Sequence, residues 1–568
     1  MTANLSRWLA CVAALAFSLP AFAAEPAPVV PLEADADPAA SASGVAPSVV
    51  MPVGVPATPV IAPQTAAPTP NAPCDCPPAG FDFKKVPPVR GAVRAGPFPM
   101  PPTGPGYYSI LDLVRGDCQK APPKYPYPRF ALMGSSFYDA DFKYVDALPE
   151  SDRTVSESLK RMKVADDWML SVGGSSWQRF MSEYNSRLGQ ADNHYLLTRD
   201  RVYADLWYKD VARLYVEGIS SYSYFQTLPK LLIDQSGPDF LNLFVDLKVA
   251  DVMDKPVYAR LGRQELSLGS QRLVSSLEWA NTRRTFQGVS ALRTGDKWDA
   301  TAFWLQPVIP SEGKLDWADN QQHFAGGWLT YRPKPGTTVD LYNLTLVNNN
   351  TVAQQGLQRG NSTINTTGAR FAGDMNNVLW DFEGAMQFGT QAARNVVAGM
   401  GTAGVGYHFK DAPWNPTVWM YYDYASGGRS GNTSNTFNQL FPFGHYYLGW
   451  ADLVGRQNIQ DLNAHLYFYP AKWLTGWVQY HRFWLADSTD ALYNTAGNVS
   501  RLRANGSAGN SVGREIDATL NFHLTKQSDI LVGYNYFFAG DFIRRSAAPG
   551  QTAGFDASTF FLQYNFRW

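Results

Sequence analysis

Residues 557–568, ASTFFLQYNFRW, end the chain and decide its fold class. Every second residue from Phe560 to Trp568 is apolar, and polar residues such as Gln563 and Asn565 lie between them. This alternation with a period of two predicts a β-strand with one apolar and one polar face. An aromatic carboxy-terminal residue on such a strand is typical of outer-membrane β-barrels, which turn apolar side chains to lipid. The alternative for this strand alone is the edge of a secreted β-sandwich.

The amino-acid composition limits the classes of protein to which this chain can belong. The 568 residues carry 48 basic and 49 acidic side chains, and this near-zero net charge argues against a nucleic-acid partner. Aromatic residues make up 14% of a chain with only 17% charged residues, a balance that suits a barrel with aromatic girdles. Beyond the first few dozen residues, no apolar run approaches the ~20 residues that a spanning helix needs. A closed barrel is therefore the membrane-embedded alternative.

The first 165 residues predict three segments ahead of the barrel. Residues 1–23 have the charged start, apolar stretch and A-x-A site of a secretory signal. Residues 24–106 are rich in Pro and Ala and predict a disordered spacer, which we expect to span the periplasm or to contact the cell wall. Residues 107–165 predict a short periplasmic segment with little helix.

The sequence offers no pattern for a metal ion, a cofactor or catalysis. Cys74, Cys76 and Cys118 have no zinc spacing, although a bridge from Cys118 to one of the other two fits an oxidising periplasm. The H-E-x-x-H pattern is missing from the sequence, and we expect no enzyme. Glu515 and Asp517 are two apart on one face, where carboxylates more often line a pore than perform acid–base chemistry.

Residues 166–568 alternate between amphipathic segments and two classes of connection. Residues 241–249 place five apolar side chains on one face and Asn242, Asp246 and Lys248 on the other. Short turns alternate with long loops rich in Gly, Asn, Ser and Thr, as in a barrel with short periplasmic turns and long outer loops. A β-sandwich does not sort its connections in this way, and a propeller repeat of roughly 40–50 residues is missing. We therefore predict an all-β, transmembrane antiparallel β-barrel of about 18 strands.

Parity along the predicted strands assigns charged residues to the lumen. The earlier strands direct a basic group and its acidic neighbours inward: Arg199, Arg201, Arg213, Lys248, Arg260, Asp205, Glu217 and Asp246. The later strands direct acidic residues inward: Asp381, Glu383, Asp423, Glu515 and Asp517. Two such arcs give a field across the pore, whereas a pore for polyanions alone would be more uniformly basic. The alternative is mutual pairing across the lumen, which leaves a modest net preference.

The densest charged stretch is residues 258–288, which predicts a strand, a long loop and the return strand. Arg260 faces the lumen, whereas Arg263 has the opposite parity and lies above the lipid band or follows a bulge. The loop adds three arginines and an acidic partner: Arg272, Arg283, Arg284 and Glu278. Because arginine binds carboxylates bidentately, these side chains are candidates for contact with an acidic substrate. The alternative is that they pin a loop that folds into the pore.

Three motifs in this region resemble the alginate export family of outer-membrane barrels. They are RLGRQEL at residues 260–266 with FQG at 286–288, WDFEGAMQFG at 380–389, and DYASG at 423–427 with LGWADLVG at 448–455. The resemblance covers about residues 160 to 568. It implies a monomeric channel of about 18 strands, with an arginine-lined constriction for an anionic polysaccharide and loops that gate the pore.

We therefore expect a passive channel in the outer membrane of a Gram-negative-type bacterium, passing an acidic polysaccharide or oligosaccharide. Outer-membrane lipid and the barrel-insertion machinery, which we expect to recognise Trp568, are the other partners. A substrate-selective uptake porin for small solutes is an alternative in the same fold. An outer-membrane enzyme or a surface-binding barrel is an alternative of another class, which conductance would distinguish from both channels.

Overall fold

The computed structural model describes residues 80–86, 89, 95–127, 130, 136–350, 360–546 and 554–568. The expected signal sequence and residues 24–79 of the expected spacer lie outside these ranges. Cys118 is an exposed free thiol, and its expected partners Cys74 and Cys76 also lie outside them.

Among the described residues, eighteen long strands form one closed antiparallel sheet. They are β1 (Trp168–Tyr184), β2 (Asn193–Tyr208), β3 (Ala212–Tyr224), β4 (Ser236–Val252), β5 (Lys255–Gln264), β6 (Phe286–Arg293), β7 (Trp298–Ile309), β8 (Gln322–Tyr331), β9 (Thr337–Asn348), β10 (Ser362–Met375), β11 (Val378–Gln391), β12 (Arg394–His408), β13 (Thr417–Ala425), β14 (Ile459–Ala471), β15 (Leu474–Leu485), β16 (Ser511–His523), β17 (Ser528–Ala539) and β18 (Ala557–Arg567). Each strand pairs with its neighbours in the chain, which confirms the predicted barrel and its strand number.

The last strand closes the sheet onto the first. In the β1–β18 ladder, Ser175 lies opposite Arg567 and Tyr184 lies opposite Ser558. Trp568 extends this pairing, because its amide and its carbonyl oxygen each lie 3.0 Å from the backbone of Gly174. The barrel therefore has no free edge between its termini.

The strand that opened the sequence argument shows the expected two faces. Leu562 and Tyr564 point outward and are 44% and 41% exposed, whereas Gln563 and Asn565 are 3% and 5% exposed inside the barrel. Outward apolar side chains recur around the barrel, for example Val202 on β2 and Leu341 on β9. This is the pattern of a wall with lipid outside and a polar interior.

The two ends of the barrel differ in their connections. One end, which we call the short-turn end, joins its strand pairs by turns such as residues 253–254, 332–336 and 472–473. The opposite end carries the longer connections, apart from residues 392–393. Loop A is residues 265–285, between β5 and β6, and loop B is residues 426–458, between β13 and β14.

Short helices and strands precede the barrel and lie in its loops. Helix α1 (Ile110–Arg115) begins at Ser109, whose hydroxyl accepts from the Asp112 amide, and helix α2 (Val155–Ser158) has a capping box at Thr154. The other short elements are the 3-10 helices Phe83–Lys85, Phe137–Asp139, Lys143–Ala147, Glu150–Asp152 and Ser186–Leu188, the α-helices Gly444–Tyr447 and Asp541–Arg545, and the strands Met162–Ala165, Trp317–Ala318, Arg429–Ser430, Thr433–Ser434, Leu492–Tyr493 and Val499–Arg501. Within the described part of the chain, no helix is long and apolar enough to cross a membrane.

The segment before the barrel differs from the expected spacer and periplasmic segment, because much of it packs inside the wall. Phe137, Tyr138 and Phe142 form a buried cluster with the wall residues Tyr203, Tyr215 and Phe244. Phe98, within the expected spacer, is 4% exposed and belongs to the main apolar cluster of the interior. Burying large aromatic side chains offsets the ordering entropy that a Pro- and Ala-rich chain alone cannot offset.

Candidate functional site: the barrel interior

The interior is built where loops A and B meet inside the wall. Val274 of loop A and Phe441 of loop B form a parallel β-bridge. The Phe441 amide donates to the Leu273 carbonyl oxygen and the Ser275 amide donates to the Phe441 carbonyl oxygen, both over 2.9 Å. The two loops therefore support each other's backbone within the lumen.

Loop A is fixed to the far wall by one arginine. Arg272 Nη2 lies 2.8 Å from Asp381 Oδ2 and its Nη1 lies 2.5 Å from Glu383 Oε2, both on β11. Burial by itself lowers the pKa of Arg272, but the nearby carboxylates outweigh it and hold that pKa well above its ordinary value. Ser270 Oγ adds a hydrogen bond to Glu383 over 2.8 Å. The acidic arc expected from parity therefore anchors a loop.

A second set of ion pairs cross-links loop A internally and fixes it to the near wall. Arg283 contacts both Glu265 and Glu278. Arg199 of β2 also reaches Glu278, over 2.5 Å, and donates to the Ala280 carbonyl oxygen over 3.0 Å. These contacts favour the alternative in which the arginines of this stretch pin a loop folded into the pore.

Arg284 differs from these arginines because its contacts are neutral. Its Nη1 donates to the carbonyl oxygens of Phe441 and Pro442 in loop B, over 2.6 and 3.2 Å. Burial lowers the pKa of Arg284 to about 10, so the side chain keeps its charge at neutral pH.

Loop B is held by the acidic side of the wall. Arg456 Nη1 lies 2.6 Å from Asp423 Oδ1 on β13. The amides of Ala451 and Trp450 donate to Glu515 and Asp517 of β16, over 2.7 and 3.4 Å. Carboxylates that accept from backbone amides stabilise a loop conformation in the same way as a helix cap.

The basic arc of the wall is paired strand to strand. Arg201 donates to Glu217 over 2.7 Å, Arg213 to Asp205 over 2.7 Å, and Arg260 to Asp246 over 2.7 Å. These three arginines are 3% exposed or less. Mutual pairing, which the sequence left open for these residues, is what the geometry shows.

Aromatic residues ahead of the barrel cover this arc. The Phe137 ring lies 4.1 Å from the Arg201 guanidinium, and the Tyr138 ring lies 4.6 Å from that of Arg260. Arg213 Nη2 also donates to the Tyr138 carbonyl oxygen over 2.9 Å. Because desolvated cation–π contacts are favourable, these rings compensate part of the cost of burying the guanidiniums.

Two of the expected residues lie at the rims, apart from this interior. Lys248 is at the short-turn end, 3.2 Å from Asp210 and 3.1 Å from Asp251. Arg263 is at the long-loop end of β5, where its Nη1 lies 3.3 Å from Asp239. The structure brings the other expected residues together as loop anchors and wall pairs; their contact with a substrate stays a prediction.

Arg179, Arg370 and Arg456 lie in the interior and were missed as site residues. Arg370 on β10 pairs with Asp381 over 2.7 Å, and Arg456 anchors loop B. Arg179 on β1 donates to Gln563 and to the Trp279 carbonyl oxygen, each over 2.8 Å. Parity along residues 362–375 was a usable signal for Arg370, whereas Arg456 lies in an irregular loop without a period. Among the described residues no group of three or more His, Cys, Asp or Glu could hold a metal ion.

Loops A and B are held in the lumen by stronger interactions than the segment ahead of the barrel. Leaving one partner of a buried ion pair uncompensated costs about 3–5 kcal/mol, whereas a typical neutral hydrogen bond contributes about 0.5–1.5 kcal/mol. Withdrawal of loops A and B would take Arg272 away from Glu383 and Arg456 away from Asp423, whereas Asp381 would keep Arg370 of β10. The loops are therefore the more firmly held contents of the lumen.

A closed antiparallel barrel with an apolar outer face and a charged interior is the architecture of an outer-membrane channel. The family described as Alginate export matches residues 168–554, and the chain belongs to that family.

Several solved structures are similar to this chain in fold. OccD3 (OpdP) of Pseudomonas aeruginosa is 11% identical, with 70% of this chain and 91% of that chain covered and a TM-score of 0.47. OccAB1 of Acinetobacter baumannii is 12% identical, with 70% and 96% covered and a TM-score of 0.47. OprD of Pseudomonas aeruginosa is 10% identical, with 70% and 94% covered and a TM-score of 0.45. No curated protein matches the chain.

Proposed function

We propose that this chain is a passive, monomeric channel of the alginate export type that passes an anionic polysaccharide or oligosaccharide across the outer membrane. Its short-turn end then faces the periplasm. Family membership supports this proposal, and the arginine content of the interior carries it. Among the described residues, nine buried arginines have a carboxylate within ion-pair distance: Arg199, Arg201, Arg213, Arg260, Arg272, Arg283, Arg370, Arg456 and Arg567.

Two further arginines supply the positive potential that paired arginines lack. Arg179 and Arg284 donate to neutral oxygen atoms, and neither has an ion-pair partner among the described residues. A guanidinium without a neighbouring carboxylate attracts a passing anion, and its planar fork fits a uronate carboxylate. In this proposal the wall pairs keep the lumen rigid, while Arg179 and Arg284 favour anions.

Loops A and B stay in the lumen during passage in this proposal. The wall from β11 to β16 is acidic, and two of the arginines that neutralise it, Arg272 and Arg456, are carried by the loops. Without the loops, a polyanion would meet Glu383 and Asp423 directly, and like charges in a confined space repel strongly. The loops therefore form the constriction.

Planar-bilayer recordings of the purified protein test this function. We expect anion preference in the reversal potential, and stronger block by a uronic-acid oligosaccharide than by a neutral one of equal length. Arg179→Met and Arg284→Met should each reduce both effects, whereas Arg429→Met, at an exposed site outside the barrel wall, should not. Equal block by neutral and acidic sugars would favour the small-solute uptake porin. Absence of conductance would favour an enzyme or a surface-binding barrel.

A further inference from the structure

Residues 95–106, AGPFPMPPTGPG, form an extended segment that we call the strap. Five of its residues are prolines, which fix the backbone and lack an amide hydrogen. The carbonyl oxygens of such a segment have no partners within their own backbone and are available to donors nearby.

The inner part of the strap is held by aromatic donors. Tyr446 of loop B and Tyr467 of β14 both donate to the Pro97 carbonyl oxygen, over 2.8 and 2.9 Å. Trp419 Nε1 of β13 donates to the Phe98 carbonyl oxygen over 3.0 Å, and the two rings pack edge to face with centroids 4.9 Å apart. All three donor residues are buried.

The outer part of the strap is held at the short-turn end. Asn415 Nδ2 donates to the Met100 carbonyl oxygen over 2.8 Å. Lys472 Nζ, in the turn between β14 and β15, lies 2.7 Å from each of three successive carbonyl oxygens, those of Thr103, Gly104 and Pro105. We call these five donors, Trp419, Tyr446, Tyr467, Asn415 and Lys472, the seat.

We infer that the seat is a binding groove for an acidic saccharide and that the strap is its displaceable internal occupant. The inference deepens the proposed function and rests on it. The seat offers an aromatic face, phenol and indole donors and one ammonium group, near the short-turn ends of β13 and β14. A uronic-acid polymer offers the matching surface, since its rings are apolar on their faces and its hydroxyl and carboxylate oxygens accept hydrogen bonds.

The strap has the features of a reversible occupant. Its carbonyl oxygens occupy the same donors that saccharide oxygens would use, and its bonds to the wall and to loop B are neutral except at Lys472. Because it belongs to the same chain, its effective concentration at the seat is high, and it fills the groove when no polymer is present. A polymer arriving at the short-turn end meets the strap before it meets the loops.

Variants of the strap and variants of the seat should shift the sugar concentration that blocks the channel in opposite directions. Phe98→Ala loosens the strap and leaves the seat intact, so we expect higher single-channel conductance and block by a uronic-acid oligosaccharide at a lower concentration. Tyr467→Phe and Lys472→Met also loosen the strap, so conductance should rise, but each removes a saccharide donor. The blocking concentration should then be roughly fivefold higher than that of Phe98→Ala.

Phe225→Ala is the matched control, because Phe225 is 83% exposed in the loop between β3 and β4. Heat-modifiable migration on gels verifies that each full-length variant is folded. If Phe98→Ala fails to fold, Lys472→Met at the rim still supplies the conductance measurement.

Several outcomes would overturn the inference. One is Phe98→Ala and Lys472→Met behaving like Phe225→Ala in conductance. Another is that Phe98→Ala, Tyr467→Phe and Lys472→Met all raise conductance but are blocked at the same sugar concentration. That result would show that the seat does not bind sugar. In both cases acidic sugars still block the wild type and the proposed function stands. Failure of the proposed function is distinct, because neither anion preference nor acidic block is then seen in any variant.

Discussion

Arg260 and Asp246 lie directly opposite each other on β5 and β4, and the arginine binds both carboxylate oxygens, over 2.7 and 2.9 Å. The two side chains are 1% and 0% exposed. A bidentate pair between neighbouring strands has a fixed geometry, so it cancels its own charge while it stiffens the wall. Arg213 lies 3.6 Å from the same Asp246 and joins the pair to the next strand.

The first prediction separates the structural from the electrostatic role of this pair. Arg260→Gln leaves Asp246 without its closest counter-charge, so we expect a loss of about 3–5 kcal/mol in the free energy of unfolding. Anion preference should also fall, more at 0.01 M salt than at 1 M, because the Debye length shrinks from about 30 to about 3 Å. The double variant Arg260→Gln/Asp246→Asn keeps the net charge and should restore the reversal potential. A single variant with the wild-type potential would show that the pair does not contribute to selectivity.

The second prediction concerns the far anchor of loop A. Arg272→Met removes the arginine that Asp381 and Glu383 share, which leaves Asp381 with Arg370, so β11 should hold loop A more weakly. We expect lower stability by about 3–5 kcal/mol and single-channel currents with more frequent transitions between levels. Arg429→Met, an exposed arginine of loop B, is the matched control. Currents as steady as those of the wild type would mean that loop A is held by its backbone contacts with loop B.

The wall could be predicted from the sequence, because a period of two is a property of each strand on its own. Gln563 and Asn565 turned inward as the alternation required, and Arg260 and Asp246 shared the predicted luminal side. The same alternation identified the charged residues that face the lumen but not their ion-pair partners. Which carboxylate Arg272 would reach depended on the path of a loop that has no period, and parity alone did not distinguish the β11 wall from any other.

The sequence pattern did not predict which residues fill the lumen at the short-turn end. The aromatic residues of the strap and of residues 127–145 are separated by prolines and turns, so they show neither a helical nor a strand period. Composition alone then favoured a disordered spacer up to residue 106. The structure differs from this prediction at residues 95–106, because Phe98 packs against Trp419. These two residues are more than 300 positions apart in the chain.

The third prediction uses two glycines of loop B that have positive φ. At Gly449, φ is +84°, and an added Cβ would lie 2.5 Å from the carboxylate of Glu515. At Gly431, φ is +58°, and nothing lies within 4 Å of an added Cβ. Both Gly→Ala changes carry the left-handed backbone cost of about 1–2 kcal/mol. Gly449→Ala should be the more destabilising of the two in urea unfolding, because Glu515 must move and loosen its hydrogen bond from Ala451. Equal losses would show that loop B is not fitted against β16 at this point.

The fourth prediction concerns the residue that ends the chain. Trp568 adds two backbone hydrogen bonds to Gly174 beyond the end of β18, and Lys160 Nζ donates to its carbonyl oxygen over 3.1 Å. Deleting Trp568 removes these closing contacts, together with the aromatic terminus that we expect the insertion machinery to recognise. The amount of heat-modifiable barrel in the outer-membrane fraction should fall. Trp568→Phe keeps the backbone bonds and an aromatic ring and should assemble close to the wild-type level. Unchanged assembly after the deletion would show that the ladder from Ser558 to Arg567 closes the barrel without its last residue.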